Sequence, residues 1–235
     1  MSLDTSHLLA DVVADFAEPR TRPALIPTPD LAVGGRRFAL APPSSPTLTL
    51  GAALSVRRAV RHWRADPLQL ADLSGVCGDA VAAAGNWADS ARLGLAAELI
   101  VVARSVDAIP LGIYRYRDRS ADLVQLIAIE HADALRAFVI QREFADAPAI
   151  LVAVGPLASS LGAYGSHGYR TLLTRAGAML GAGWLAGVRR GLAGCAFAGL
   201  LPHVLREHAG VDGFHRIAPL ALAIGYPQAA QPQEQ

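Results

Sequence analysis

The chain has 235 residues, 52% of them hydrophobic, and its 21 basic and 20 acidic residues leave a formal charge of +1. That length suits one domain, or one domain with an arm, and the near-neutral balance excludes general attraction to nucleic acid or membrane surfaces. All 21 basic residues are arginine; without lysine there is no amine for a Schiff base, a lysine general base or a lysine phosphate clamp.

Residues 1–22 can form a short helix with Leu8, Leu9, Val12, Val13 and Phe16 on one face. Asp4, Asp11, Asp15 and Glu18 lie there without a basic region ahead of a long apolar run, so no secretory signal is expected. Pro19, Pro23, Pro27 and Pro29 follow, and residues 1–48 read as an N-terminal arm that packs on the body or on a partner. In the body, 49–227, helices are expected at 50–62, 67–84, 130–142, 168–190 and 202–209. Strands are expected at 97–104, 111–117, 122–127, 149–155, 194–199 and 219–225, with a hairpin turn at Asp118-Arg119-Ser120. Residues 228–235 read as a disordered tail. Hairpins mixed with helix-separated strands predict an α+β fold, a mixed sheet flanked by helices.

The longest apolar stretch, Ala176 to Val188, is too short to span a bilayer and is flanked by Arg175 and Arg189. Cys77 and Cys195 have neither disulfide-framework nor metal-ligand spacing, so reduced thiols in a cytoplasmic protein are expected. The helix at 168–190 carries Gly177, Gly181, Gly183 and Gly187, each costing about 1 kcal/mol of helix propensity relative to alanine. Close approach of another backbone would explain them, either from a symmetry mate or from burial under the sheet.

Three features then stand in order: Arg57-Arg-Ala-Val-Arg61; the small-residue turn Asp89-Ser-Ala-Arg92; and Gly191-Leu-Ala-Gly-Cys-Ala-Phe-Ala-Gly199. Between and beyond them lie Gly112-Ile-Tyr-Arg-Tyr116, Ala163-Tyr-Gly-Ser-His-Gly-Tyr-Arg170 and Gly225-Tyr-Pro227, with Phe38-Ala-Leu-Ala-Pro-Pro43 ahead of all. Over residues 36–227 this order resembles the nitroreductase fold. Its SagB-type branch is similar, comprising FMN-dependent azoline dehydrogenases of peptide modification. The resemblance implies an intertwined homodimer, or a heterodimer with a paralogue. It also implies FMN as cofactor, with Arg57, Arg58 and Arg61 at the phosphate and ribityl chain and Ala59 in the same stretch. Ser90 and Ala91 would contribute hydroxyl and backbone contacts, and Ala198 and Gly199 would lie beside flavin N5. A precursor peptide and a cyclodehydratase complex would be the partners.

The departures from that branch are equally specific. Ala59 replaces a serine, Asp89 a proline and Arg92 a glycine. The catalytic Lys-Tyr pair reads Ala163-Tyr164, leaving Tyr164 as the catalytic candidate; a packed aromatic beside Gly165 is the other reading. Two functions therefore stay open. One is an FMN-dependent oxidoreductase that oxidises azoline rings to azoles in a ribosomally made peptide. The other is a nitroreductase-fold subunit without redox chemistry, acting as scaffold or peptide dock. Arg115, Arg117 and Arg119 share a strand face that suits either an acidic partner or solvent. No metal site is expected, because on a helix His203 and His208 would point ~140° apart. Nor is there a phosphate-binding loop, a dinucleotide fingerprint or a nucleophile elbow.

Overall fold

The computed structural model describes residues 35–85 and 95–228. The expected helix at 1–22, the Ser90–Ala91 turn and the tail beyond 228 lie outside the described residues.

Seven strands form one sheet: β1 (Arg37–Ala39), β2 (Glu98–Ala103), β3 (Gly112–Arg117), β4 (Asp122–Ala128), β5 (Ala149–Pro156), β6 (Ala193–Phe197) and β7 (Arg216–Gly225). Their spatial order is β1-β4-β3-β2-β5-β7-β6. Every neighbouring pair is antiparallel, and parallel pairing is confined to the isolated bridges Ala59–Gly194 and Leu68–Val106. Helices α1 (Leu50–Val56), α2 (Leu70–Gly85), α3 (Leu157–Tyr164), α4 (Ser166–Arg189) and α5 (Pro202–Ala209) complete the fold.

The period of two along each strand divides the core. On β2, Leu99, Val101 and Ala103 pack with Val76, Cys77 and Ala80 of α2 and with Met179 and Leu180 of α4. Ile100 and Val102 point the other way, into a second cluster with Phe138, Phe144, Phe197 and Leu205. Both faces of the sheet are covered, so β2 and β5 read as unbroken apolar runs. No helix among the described residues is long and apolar enough to cross a membrane.

The glycines of α4 divide by what they face. A side chain at Gly183 would lie 3.1 Å from Ala80 Cβ, so this glycine lets α2 approach closely, whereas one at Gly187 would meet Val76 at an ordinary 3.6 Å. Gly177 and Gly181 have nothing within 4 Å and lie on the helix's open side.

Several expected boundaries are corrected. The helix expected at 50–62 ends at Val56, because the residues after it extend and pair with β6. The helix expected from 67 begins at Leu70, since Leu68 is held by Ser105 and Asp107 through backbone bonds. In place of a helix at 130–142 stand two 3-10 turns, Ala132–Ala137 and Arg142–Asp146. Between those turns the chain breaks to pair with residues 199–201: Ile140 N–H donates to Gly199 O at 2.8 Å and Leu201 N–H to Phe138 O at 2.8 Å. The unexpected helix α3 packs tightly on α4. Unexpected too is β1, whose Phe38 meets Tyr114 edge-on at 5.6 Å. Residues 35–48 lie on the body, with Ser44 N–H bonded to Ala71 O and Thr47 N–H to Arg189 O.

The turn into β7 is built on Asp212. Desolvation pushes its carboxyl up, but this is outweighed by hydrogen bonds from the His215 ring and from the amides of Phe214, Arg216 and His215, which hold it well below the usual range. A depressed carboxyl stabilises the fold above its unfolded pKa of about 3.9 and loses that contribution as pH falls below it. Asp212→Ala should therefore lower the thermal midpoint at neutral pH. The gap to wild type should close as the pH falls below about 4. A gap that persists unchanged at low pH would show that the carboxylate charge is not responsible.

Candidate functional site

Thr49 caps α1 by accepting from Ala52 N–H at 3.2 Å, and the helix stops at Val56. From Arg57 the chain runs extended along the outer side of β6. Val60 N–H donates to Gly194 O at 3.0 Å, Trp63 Nε1–H to Ala193 O at 3.2 Å and Arg64 N–H to Tyr226 O at 3.0 Å. Gly194 suits this crowded edge, where a side chain would lie 2.9 Å from Ala223 O. The motif expected to bind phosphate is thus a strip fixed to the sheet edge, not a helix end.

On that strip the arginines part ways. The Arg57 guanidinium lies over the Trp184 ring of α4 at 4.5 Å, a cation–π contact. Arg58 is exposed and Ala59 is the residue that pairs with Gly194. Arg61 lines a cleft of about 290 Å³ together with Ile140, Gln141, Phe144 and residues 195–199. Among the described residues, neither Arg58 nor Arg61 has an ion-pair or hydrogen-bond partner. A guanidinium left unpaired keeps all its donors for an anionic oxygen, and two can engage a phosphate side by side.

The other wall of the cleft begins where β6 leaves the sheet. Its ladder with β7 ends at Phe197, opposite Ala221, and Ala198 and Gly199 continue beyond it. Phe197 stacks on Phe144 with ring centroids 4.0 Å apart, and both residues line the cleft. A side chain at Gly199 would lie 3.0 Å from Gln141 Oε1 and 3.4 Å from Ile140 Cβ, so the bare backbone leaves room at that point.

The structure therefore joins Arg61, Ala198 and Gly199 in one cleft. Arg57, Arg58 and Ala59 sit on the same strip without lining it, and Ser90 and Ala91 lie outside the described residues. Tyr164, half-buried at the end of α3 before Gly165, does not line the cleft. Sequence reading missed Ile140 and Gln141, which it placed in a helix, and Phe144 just beyond that helix. The β3 arginines are partly neutralised within the fold: Arg115 meets Glu98 at 3.3 Å, and Arg117 meets Asp122 at 3.0 Å. Burial pushes the Cys77 thiol up, making it a core residue without nucleophilic character. Desolvation, together with donation to Asp72 at 2.7 Å, pushes the Tyr226 hydroxyl up to about 12.

The sequence pattern of the Nitroreductase family matches residues 54–226. The chain belongs to the nitroreductase family. This family member is similar in fold to a nitroreductase-type protein from Anabaena variabilis, with a TM-score of 0.70 and 19% identity over 83% of the chain. It spans only 42% of the length of that Anabaena protein. A Ralstonia eutropha relative of the same type gives a TM-score of 0.65 and 22% identity, covering 88% of this chain and 98% of its own. The E. coli microcin synthetase McbBCD complex, with truncated pro-MccB17 bound, gives 0.59 and 14% identity, covering 97% of this chain and 98% of the other. No curated protein sequence matches the chain.

The residues present fit a phosphorylated flavin. The Arg61 guanidinium, unpaired among the described residues, has donors suited to an anionic oxygen, and the edge at Gly199 carries no side chain that would block a flat ring.

Proposed function

We propose that this chain is an FMN-dependent oxidoreductase that oxidises azoline rings to azoles in a ribosomally made peptide. The observation that carries the flavin site is Arg61, unpaired among the described residues and lining one cleft with Ala198 and Gly199. The peptide substrate is supported by the likeness to a peptide-bound microcin synthetase complex along nearly the whole chain. A cyclodehydratase that makes the azoline and the precursor peptide itself would be the partners.

In this reading Arg61 holds the anionic end of the cofactor and the Ala198–Gly199 backbone borders the ring. Bound there, FMN supplies a two-electron hydride acceptor that dioxygen can restore. The substrate ring must also lose a proton, and Tyr164, which lies outside the residues lining the cleft, is the candidate base that the resemblance leaves. A second copy, or a paralogue, would cover the open side of α4. Leu161, Tyr169 and Leu173 are exposed there, Gly177 and Gly181 are bare, and Leu50, Leu54 and Val56 are exposed on the adjoining α1.

The second reading, a scaffold or peptide-docking subunit without redox chemistry, is favoured by one observation. Among the described residues lining the cleft, Arg61 is the one ionic side chain, and there is no histidine or carboxylate to take a proton.

The deciding experiment is titration of the purified protein with FMN, followed by removal of unbound flavin and recording of the visible spectrum. Wild type should retain the flavin band. Arg61→Ala should weaken binding about ten- to a hundredfold, the value of one charge-assisted hydrogen-bonding group. A folded protein that stays colourless at excess FMN sinks the oxidoreductase and leaves the docking subunit. If flavin is held, anaerobic bleaching by an azoline peptide, and its loss in Tyr164→Phe, tests the chemistry.

A further inference from the structure

Part of the cleft that Arg61 lines is made by a piece of chain that secondary-structure periodicity does not reveal. Residues 138–140 pair with 199–201 as a short antiparallel extension beyond the end of β6. The pairing consists of Ile140 N–H to Gly199 O at 2.8 Å, Leu201 N–H to Phe138 O at 2.8 Å and the Val139–Leu200 bridge. Immediately after it, Gln141 O accepts from Phe144 N–H at 3.1 Å, and Phe144 is stacked on Phe197. The backbone on both sides of Gln141 is therefore tied down, and the Gln141 side chain emerges from a fixed base.

Two properties of the side chains on this wall have no structural use. The Gln141 amide has no hydrogen-bond partner among the described residues, although its Oε1 lies 3.0 Å from where a Gly199 side chain would begin. Ile140, beside it, is 65% exposed although the two residues before it, Phe138 and Val139, are almost wholly buried. An idle amide and a bare isoleucine side by side, in one cleft with an arginine unpaired among the described residues, match a ligand with an anionic end and a flat body that carries polar atoms on its edge.

We propose that Gln141 is a positioning residue that hydrogen-bonds the polar edge of the ring bound in this cleft, with Ile140 packed on the ring. The inference rests on the flavin reading of the site and names the residues that orient the ring in it. The carboxamide supplies one donor and one acceptor group, so it can match a ring edge that alternates carbonyl oxygen and N–H. Its role is separable from Arg61: the arginine holds the anion, whereas Gln141 sets which way the ring lies.

The test compares wild type, Gln141→Ala, Gln141→Glu and Ile140→Ala by FMN titration, with riboflavin as a probe lacking the phosphate. The shape of the bound visible band and the flavin midpoint potential are recorded alongside. Both side chains are exposed, so thermal midpoints should match wild type. Gln141→Ala should weaken FMN and riboflavin alike by about five- to tenfold, the loss of one hydrogen bond, and should alter the band and the potential. Gln141→Glu, which keeps the acceptor oxygens and loses the donor, should displace the potential while binding less weakly than Gln141→Ala. Ile140→Ala should weaken binding without changing the potential. If wild type holds FMN and Gln141→Ala reproduces its affinity, band and potential, the role of Gln141 is overturned and the flavin site stands. If wild type holds no FMN, the flavin reading fails and this assignment fails with it.

Discussion

Gly168→Ala should lower the thermal midpoint by about 6–12 °C, corresponding to roughly 3 kcal/mol for a domain of this size. Gly168 sits in the first turn of α4, directly against α3. A methyl group added there would begin 1.9 Å from the Ser160 carbonyl oxygen and 2.4 Å from its carbon. Both are backbone atoms of a helix, so no side chain can swing aside. The two helices are joined through Gly165, whose φ of 57° and ψ of −142° turn the chain sharply between them. The Gly168 N–H to Gly165 O bond, 2.9 Å, starts α4 directly from that turn. Gly51→Ala is the control: nothing lies within 4 Å of that helical glycine. It should leave the midpoint unchanged or raise it slightly, since alanine is preferred in helices by up to about 1 kcal/mol. Thermal melts of the two variants decide the matter, and equal midpoints would refute the close α3–α4 contact.

Arg190→Ala should destabilise the fold by about 2–3 kcal/mol, or roughly 5–10 °C in midpoint. The Arg190 side chain is only 6% exposed and joins three parts of the chain. Nη1 donates to Asp79 Oδ2 at 3.0 Å on α2 and to Ala186 O at 2.9 Å on α4, while Nε donates to Ser44 O at 3.2 Å in the N-terminal segment. The guanidinium fills the space over Gly75, where a side chain would begin 2.3 Å from Nε. Truncation leaves Asp79 in water rather than stranded, because that carboxylate is 47% exposed, and this keeps the cost below that of a fully buried pair. Arg190→Lys should recover little, since a single ammonium cannot serve carbonyls and carboxylate in three directions. A loss under 1 kcal/mol in urea unfolding would mean that the 44–48 segment is not held through this residue.

The strands were legible because apolar runs such as Leu99–Ala103 and Ala149–Val154 are bounded by turn residues. The cleft was legible only in half. Arg61, Ala198 and Gly199 follow from ordered motifs, but Ile140 and Gln141 owe their position to pairing with residues 199–201, a contact between distant segments that no local period records. The same cause undid the helix expected through residue 62. Arginine and alanine favour helix, yet the edge of β6 offers Val60 a backbone partner, and tertiary pairing outweighs local preference. Helix α3 escaped notice because Leu157-Ala-Ser-Ser-Leu-Gly-Ala-Tyr164 has few large apolar residues to mark a face. What stabilises it is the tight seat at Gly168.

The strip from Arg57 to Trp63 also shields the last strand of the sheet. An uncovered β6 would present a row of backbone donors and acceptors to any passing chain, which is how folded proteins polymerise edge to edge. At the opposite end β1 is only three residues long, too short to template such growth. The segment that brings Arg61 to the cleft is thus also the guard against self-association. A substitution that loosens it, such as a bulky residue at Gly194, would cost ligand affinity and colloidal stability together, so aggregation on storage becomes a readout of the same contact that holds the arginine in place.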